Sequence, residues 1–226
     1  MEKQGEYLKM FNKIIGFTLV LLGIGCSSTQ VGFQKGKSFN PDTKKVVTMA
    51  VFDMGSSATG SSDDESNKTF GTIAQTEVGS IYGSLIPGGD ITIKAAEALG
   101  IKDELDKAIG KLTEAIVNSN SVDPKTTEIF AKIAVKLGVE ALAFPLVSGT
   151  KDAMTKDSGL TYRFAVYDVR NSGIQYVAQI DSVTVNSMMY EKADANQKKA
   201  LVSAAASKAV NSLFAKVKEE LAKEKK

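Results

Sequence analysis

The stretch LTYRFAVYDVRNSGIQYVAQI, Leu160 to Ile180, holds two runs of alternating apolar residues joined by Arg170-Asn171-Ser172-Gly173. Leu160, Tyr162, Phe164 and Val166 fall on one face of the first run, and Ile174, Tyr176, Ala178 and Ile180 repeat the pattern in the second. Period-two alternation either side of a short polar, glycine-ended linker predicts a β-hairpin. Upstream, VEALAFPLV (Val139 to Val147) is apolar at nearly every position, as in a strand covered on both faces, and Pro145 restricts it to an end, an edge or a bulge. Asp123 followed by Pro124 starts a helix, with Asp as N-cap and Pro in the first turn. Ile129, Phe130, Ile133 and Leu137 give that helix an apolar face, and Gly138 suits its left-handed C-terminal end.

Further out, VVTMAVFDM (Val46 to Met54) reads as another doubly covered strand and Gly55 to Lys68 as a loop. Phe70, Ile73, Val78, Ile81 and Leu85 predict a helix, and a turn at Pro87, Gly88 and Gly89 leads to ITIKAAEAL, whose start suggests a short strand. Leu105, Ile109, Leu112 and Ile116 form a second helical stripe. Val202, Ala206, Val210, Leu213, Val217 and Leu221 recur every three or four residues behind Asp194 and Gln197, spaced as a capping box. A long amphipathic C-terminal helix across one sheet face follows. The element order predicts an α/β sandwich with a mixed, largely antiparallel sheet. KLGVEALAFPLVSG and TYRFAVYDVRNSGIQYVAQI resemble the helix-Gly-strand and D-V-R-x-x-G hairpin segments of the CsgG-like (curli-secretion-channel) superfamily, and VVTMAVFDM resembles its first strand. That group includes the N-terminal domain of the Tol-system propeller protein and the lipoprotein activators of penicillin-binding proteins. The family's second strand, ending in Glu-Arg, has no counterpart between Leu85 and Lys111. The resemblance implies an envelope scaffold or a regulator of a cell-wall synthase, with an envelope protein as partner. It also implies an alternative, a subunit of an oligomeric outer-membrane secretion channel.

Composition narrows the chemistry. The 226 residues include one Cys and no His, and only Arg163 and Arg170 are Arg. Ser-His-Asp and Cys-His catalysis, His-bearing zinc sites and intramolecular disulfides are excluded. A net charge of +2 leaves no nucleic-acid footprint. No cofactor, metal or catalytic residue is assigned.

The compartment is read from the N-terminus. IIGFTLVLLGIG, Ile14 to Gly25, is uncharged, follows Lys3, Lys9 and Lys13, and runs directly into Cys26. As a helix at about 1.5 Å per residue, twelve residues reach ~18 Å, short of the ~30 Å bilayer core, so the run reads as a signal-peptide h-region. Translation from Met1 or from Met10 serves it equally. LGIGC, Leu22 to Cys26, resembles the lipobox of bacterial lipoproteins, with small Gly25 before the Cys and Gly23 where the pattern prefers a larger apolar residue. The resemblance implies cleavage before Cys26 and acylation of its thiol and new amine, including palmitate-class chains. Two or more acyl chains give stable anchoring. Ser27 beside the Cys fits outer-membrane sorting. The expected organisation is a signal peptide over 1–25, a lipidated flexible tether over 26–44, and one α/β domain over 45–226.

Three short motifs invite chemistry. Gly32 to Ser38 imitates a phosphate-binding loop but has three residues between its glycines where four are needed. Asp63, Asp64 and Glu65 offer hard oxygen ligands without EF-hand spacing. Ser148-Gly-Thr-Lys151 matches the S-x-x-K pattern of Ser-Lys hydrolases without that group's companion motifs. A solvated loop is the plainer reading of the last two.

Overall fold

A computed structural model describes residues 30–55, 57–59, 65–84, 88–149, 154 and 159–224. The signal-like segment, Cys26, Asp63, Asp64 and Lys151 lie outside the described residues. The strands are β1 (Val31–Lys35), β2 (Val46–Thr48), β3 (Phe52–Asp53), β4 (Ala58–Thr59), β5 (Ala141–Ser148), β6 (Leu160–Asp168) and β7 (Gly173–Val183). The helices are α1 (Glu65–Tyr82), α2 (Asp90–Ala98), α3 (Lys102–Asn118), α4 (Pro124–Leu137), α5 (Ser187–Lys192) and α6 (Ala195–Lys223). The strands form one mixed sheet, β1-β7-β6-β5-β3-β4, with β2 also pairing β5. Helices α1 and α6 cover one face, while α2, α3 and α4 cover part of the other. The architecture is an α/β sandwich with a long C-terminal helix.

The hairpin organises both layers. Tyr162, Phe164 and Val166 of β6 point into the α1/α6 side, whereas Ala165 and Tyr167 point into the α2–α4 side. On β7, Tyr176, Ala178 and Ile180 join the first side as the alternation predicts. Ile174 does not, because a register shift between Val166 and Tyr167 turns it to the opposite face. Phe164 stacks edge-on to Phe214 of α6 with ring centroids 4.7 Å apart, and Phe70 of α1 meets Tyr162 at 5.1 Å. Asp194 and Gln197 form the expected capping box at the start of α6, and Asp123 caps α4 through the N–H groups of Lys125 and Thr126. Gly138 takes the left-handed conformation after α4.

Several sequence expectations are corrected. The flexible tether over 26–44 contains β1, an edge strand antiparallel to β7 with Val31 opposite Ile180 and Lys35 opposite Tyr176. Its polar composition reflects a strand with one half-buried face: Val31 and Phe33 pack inward, and Gly32 and Gln34 are exposed. Gly36 lies so close to β7 that a Cβ there would sit 1.9 Å from the Ile174 carbonyl oxygen. The loop expected over 55–68 contains β4 and the first turn of α1. ITIKAAEAL opens as helix α2, not as a strand. Its β-branched Thr92 is buried, donating through its hydroxyl to the Gly89 carbonyl and accepting the Ala50 N–H at 3.2 Å.

Strand 46–54 is split into β2 and β3, and Pro145 supplies the reason. Met49 N–H donates to the Ala143 carbonyl at 2.8 Å, and a regular parallel ladder would return the N–H of residue 145 to Met49. Proline has none, so the ladder lapses and resumes where Phe52 pairs with Leu146. The Thr92 hydroxyl catches Ala50 in the gap. Pro145 therefore lies within a central strand, at the interruption of its neighbour.

On the first side, the hydroxyls of Tyr82 and Tyr176 meet at 2.6 Å, and burial pushes both phenols above their ordinary value of 10.0. Because their folded values are raised, their contribution to stability is intact below pH 10 and is lost as pH rises beyond it. Alkaline unfolding followed by circular dichroism is expected to begin above pH 10, and stability is expected to fall less steeply with pH in Tyr82→Phe, which has one raised phenol fewer. At neutral pH the same variant, which strands one hydroxyl, is expected to lose about 1–3 kcal/mol in urea unfolding. Phe164→Ala is expected to lose about 3–5 kcal/mol. Gly36→Ala is expected to detach β1, seen as lost hydrogen-exchange protection at Val177 and Gln179, which the register pairs with Gln34 and Gly32.

Candidate functional site

Helices α2, α3 and α4 leave the second sheet face bare over β1, the outer part of β7 and the end of β6. Period-two geometry brings Ser148 of β5, Thr161 and Arg163 of β6, and Gln179 and Asp181 of β7 onto that open face. Arg163 Nε donates to Gln179 Oε1, and Nη1 donates to Ser148 Oγ at 3.4 Å. Asp181 accepts from Gln179 Nε2 at 2.6 Å and from Thr161 Oγ1 at 2.8 Å. The Gln179 amide thus stands between guanidinium and carboxylate. Partial burial pulls the Arg163 pKa down, opposed by the charge of Asp181.

Beside this stripe two shallow cavities of about 460 and 410 Å³ share Gln34, Ile116, Ser119 and Val177. The C-terminal end of α3 forms one wall, ended by Ser119 in the left-handed conformation. The surface combines donors and acceptors with a small apolar strip, including Val117 at 57% exposure. That is equipment for recognition. Ser148 Oγ accepts from the Arg163 guanidinium, and its motif partner Lys151 lies outside the described residues.

The other motifs find structural places. Gly32 to Lys35 belongs to β1, and no helix follows to present N–H groups to phosphate. Glu65 opens α1. Among the described residues no group of three or more His, Cys, Asp or Glu is disposed to hold a metal ion. Tyr162, Tyr167 and Tyr176 are all buried in the core. Asp168 is fully buried, accepting from the Asn171 N–H and Nδ2 at 3.0 Å and from Gln175 Nε2 at 3.3 Å. Gln175 Nε2 also donates to Thr43 Oγ1 at 2.6 Å, tying the chain before β2 to the hairpin turn. The D-V-R-x-x-G segment is thus a turn lock. Sequence reasoning noted Arg163 only for the scarcity of Arg; the alternation that turns it from Tyr162 and Phe164 was the signal for its position.

No family model and no curated relative matches the chain. Similar solved structures include the PelC dodecamer from Paraburkholderia phytofirmans, at 10% identity and TM-score 0.40, covering 82% of this chain and 94% of that one. The LpoB C-terminal domain from Salmonella enterica is similar at 11% identity and TM-score 0.35, over 61% and 81% of the two chains. The LpoB C-terminal domain from Escherichia coli is similar at 13% identity and TM-score 0.30, over 72% and 91%. These are loose likenesses in the arrangement of helices and strands and carry no functional argument.

The stripe and the turn lock should respond oppositely to mutation. Arg163→Met removes a partly desolvated charge and is expected to leave the urea midpoint unchanged or raised. Asp168→Ala strands buried donors and is expected to lose about 1–3 kcal/mol.

Proposed function

We propose that the protein is a lipid-anchored, non-enzymatic module of the bacterial cell envelope that works by binding another envelope protein. The observation that carries this reading is the twelve-residue uncharged segment ending at the single cysteine of the chain, Cys26. An apolar run too short to cross a bilayer, flanked by lysines and closed by a small residue and a thiol, fits export followed by acylation. Among the described residues no helix is long and apolar enough to cross a membrane. In this reading the acyl chains supply the attachment. Removal of residues 1–25 leaves 25 basic against 24 acidic side chains, too even a balance for charge to hold the protein on anionic lipid.

The open sheet face supports a binding role. Its polar groups are held by one another across three strands, and the helices that cover the rest of that face stop short of it. A catalytic reading would need a base beside Ser148, and its motif partner Lys151 lies outside the described residues.

Cys26→Ser is expected to accumulate as an uncleaved precursor and to change its behaviour in detergent phase separation from the lipid phase to the aqueous phase. Maturation and partitioning identical to the parent would overturn the reading.

A further inference from the structure

We propose that the lipid anchor holds one end of the sheet, the end where β1 begins, directly on the lipid headgroups. The proposal rests on acylation of Cys26 and concerns what that anchor does to the domain. The folded chain starts earlier than its composition suggests: Val31 is already paired with Ile180 in the sheet. Four residues separate Cys26 from Val31, and the five steps between them, at roughly 3.3–3.6 Å each, span about 18 Å at most. Had residues 26–44 been a free coil, the domain would have turned and ranged independently of its anchor. Pairing of β1 with β7 removes that freedom, and the ion pair of Lys35 with Glu224 ties the far end of β1 to the end of α6.

The register identifies the end that is held. Val31 lies level with Ile180, Tyr162 and Val147, whereas Val46, Ala141, Asp168 and Gly173 mark the opposite end. At about 3.3 Å per residue the two ends are ~20 Å apart. The held end is the one that carries Arg163, Gln179 and Asp181 on its open face. Its chemistry suits the headgroup layer: polar amides and hydroxyls, with a guanidinium whose hydrogen-bond partners there are neutral and which meets a cavity beside side-chain-free Gly32. A lipid phosphate is the anion the leash brings to that guanidinium. Asp181, already hydrogen-bonded by Thr161 and Gln179, and Asp53, level with Val147 on β3, are described groups at that end that a phosphate would avoid.

The consequence concerns partners. A domain of about 190 residues has a radius of gyration near 16 Å. Adding the leash, the protein acts within about 60 Å of the leaflet that holds its acyl chains. A partner must bring its binding surface to that layer.

The test uses the full processed lipoprotein, purified in detergent and reconstituted into phosphatidylethanolamine/phosphatidylglycerol vesicles containing a headgroup-nitroxide lipid. Acylation consumes the native thiol, so a bimane dye attaches only to an introduced cysteine: Asp181→Cys at the held end, with Ser182→Cys as a second position, or Lys44→Cys at the far end. Nitroxide quenching at 181 and 182 is expected to exceed that at 44 at least twofold, and about twenty Gly/Ser residues inserted after Ser28 should erase the difference. Equal quenching in protein whose intact mass shows acyl chains would overturn the proposal and leave the anchor reading standing. A second reactive thiol with unmodified mass would instead overturn the anchor, and the proposal with it.

Discussion

The constraint on which the structure depends is the burial of β6 on both faces. From Phe164 to Asp168 every residue of that strand is enclosed, alternately against α1/α6 and against α2–α4. A strand of this kind cannot exist without two helical layers, because each uncovered face would expose large aromatic surface. Tyr162, Phe164 and Tyr167 therefore dictate helices above and below. The antiparallel neighbours β5 and β7 then satisfy its backbone groups. Helix α6 supplies Leu213, Phe214 and Val217 to one side, and α4 supplies Phe130 and Ile133 to the other.

Much of this was legible in residue order. Strong period-two alternation revealed β6 and β7, and 3.6-residue periodicity revealed α3, α4 and α6, with the caps of α4 and the capping box of α6. What escaped was decided by tertiary context. VGFQK in β1 reads as linker because an edge strand needs only Val31 and Phe33 on its inner face. ITIK suggests a strand because β-branched residues favour one, yet Thr92 is worth more as the buried hydroxyl that accepts Ala50 N–H beside the lapse at Pro145. The division of residues 46–54 follows from a missing N–H on a different strand about a hundred residues later, which no local pattern announces.

The candidate site was less legible than the fold. Cys26 is proposed from sequence alone, through the segment before it. The Arg163–Gln179–Asp181 stripe emerges only when three strands are in register, since each member is an ordinary polar residue within its own segment. Ser148 illustrates the converse: a four-residue motif suggests chemistry, and among the described residues its hydroxyl accepts from the Arg163 guanidinium. Recognition by a pre-formed polar face fits a chain whose composition omits His.

All functional conclusions return to the covalent state of one sulfur. Intact-mass spectrometry of the protein extracted from membranes reads that state directly, together with the cleavage site. A mass equal to the chain beginning at Cys26 plus a diacylglyceryl group and an amide-linked acyl chain is the predicted result. An unmodified chain carrying a free thiol, or one cut at another position, would contradict the account.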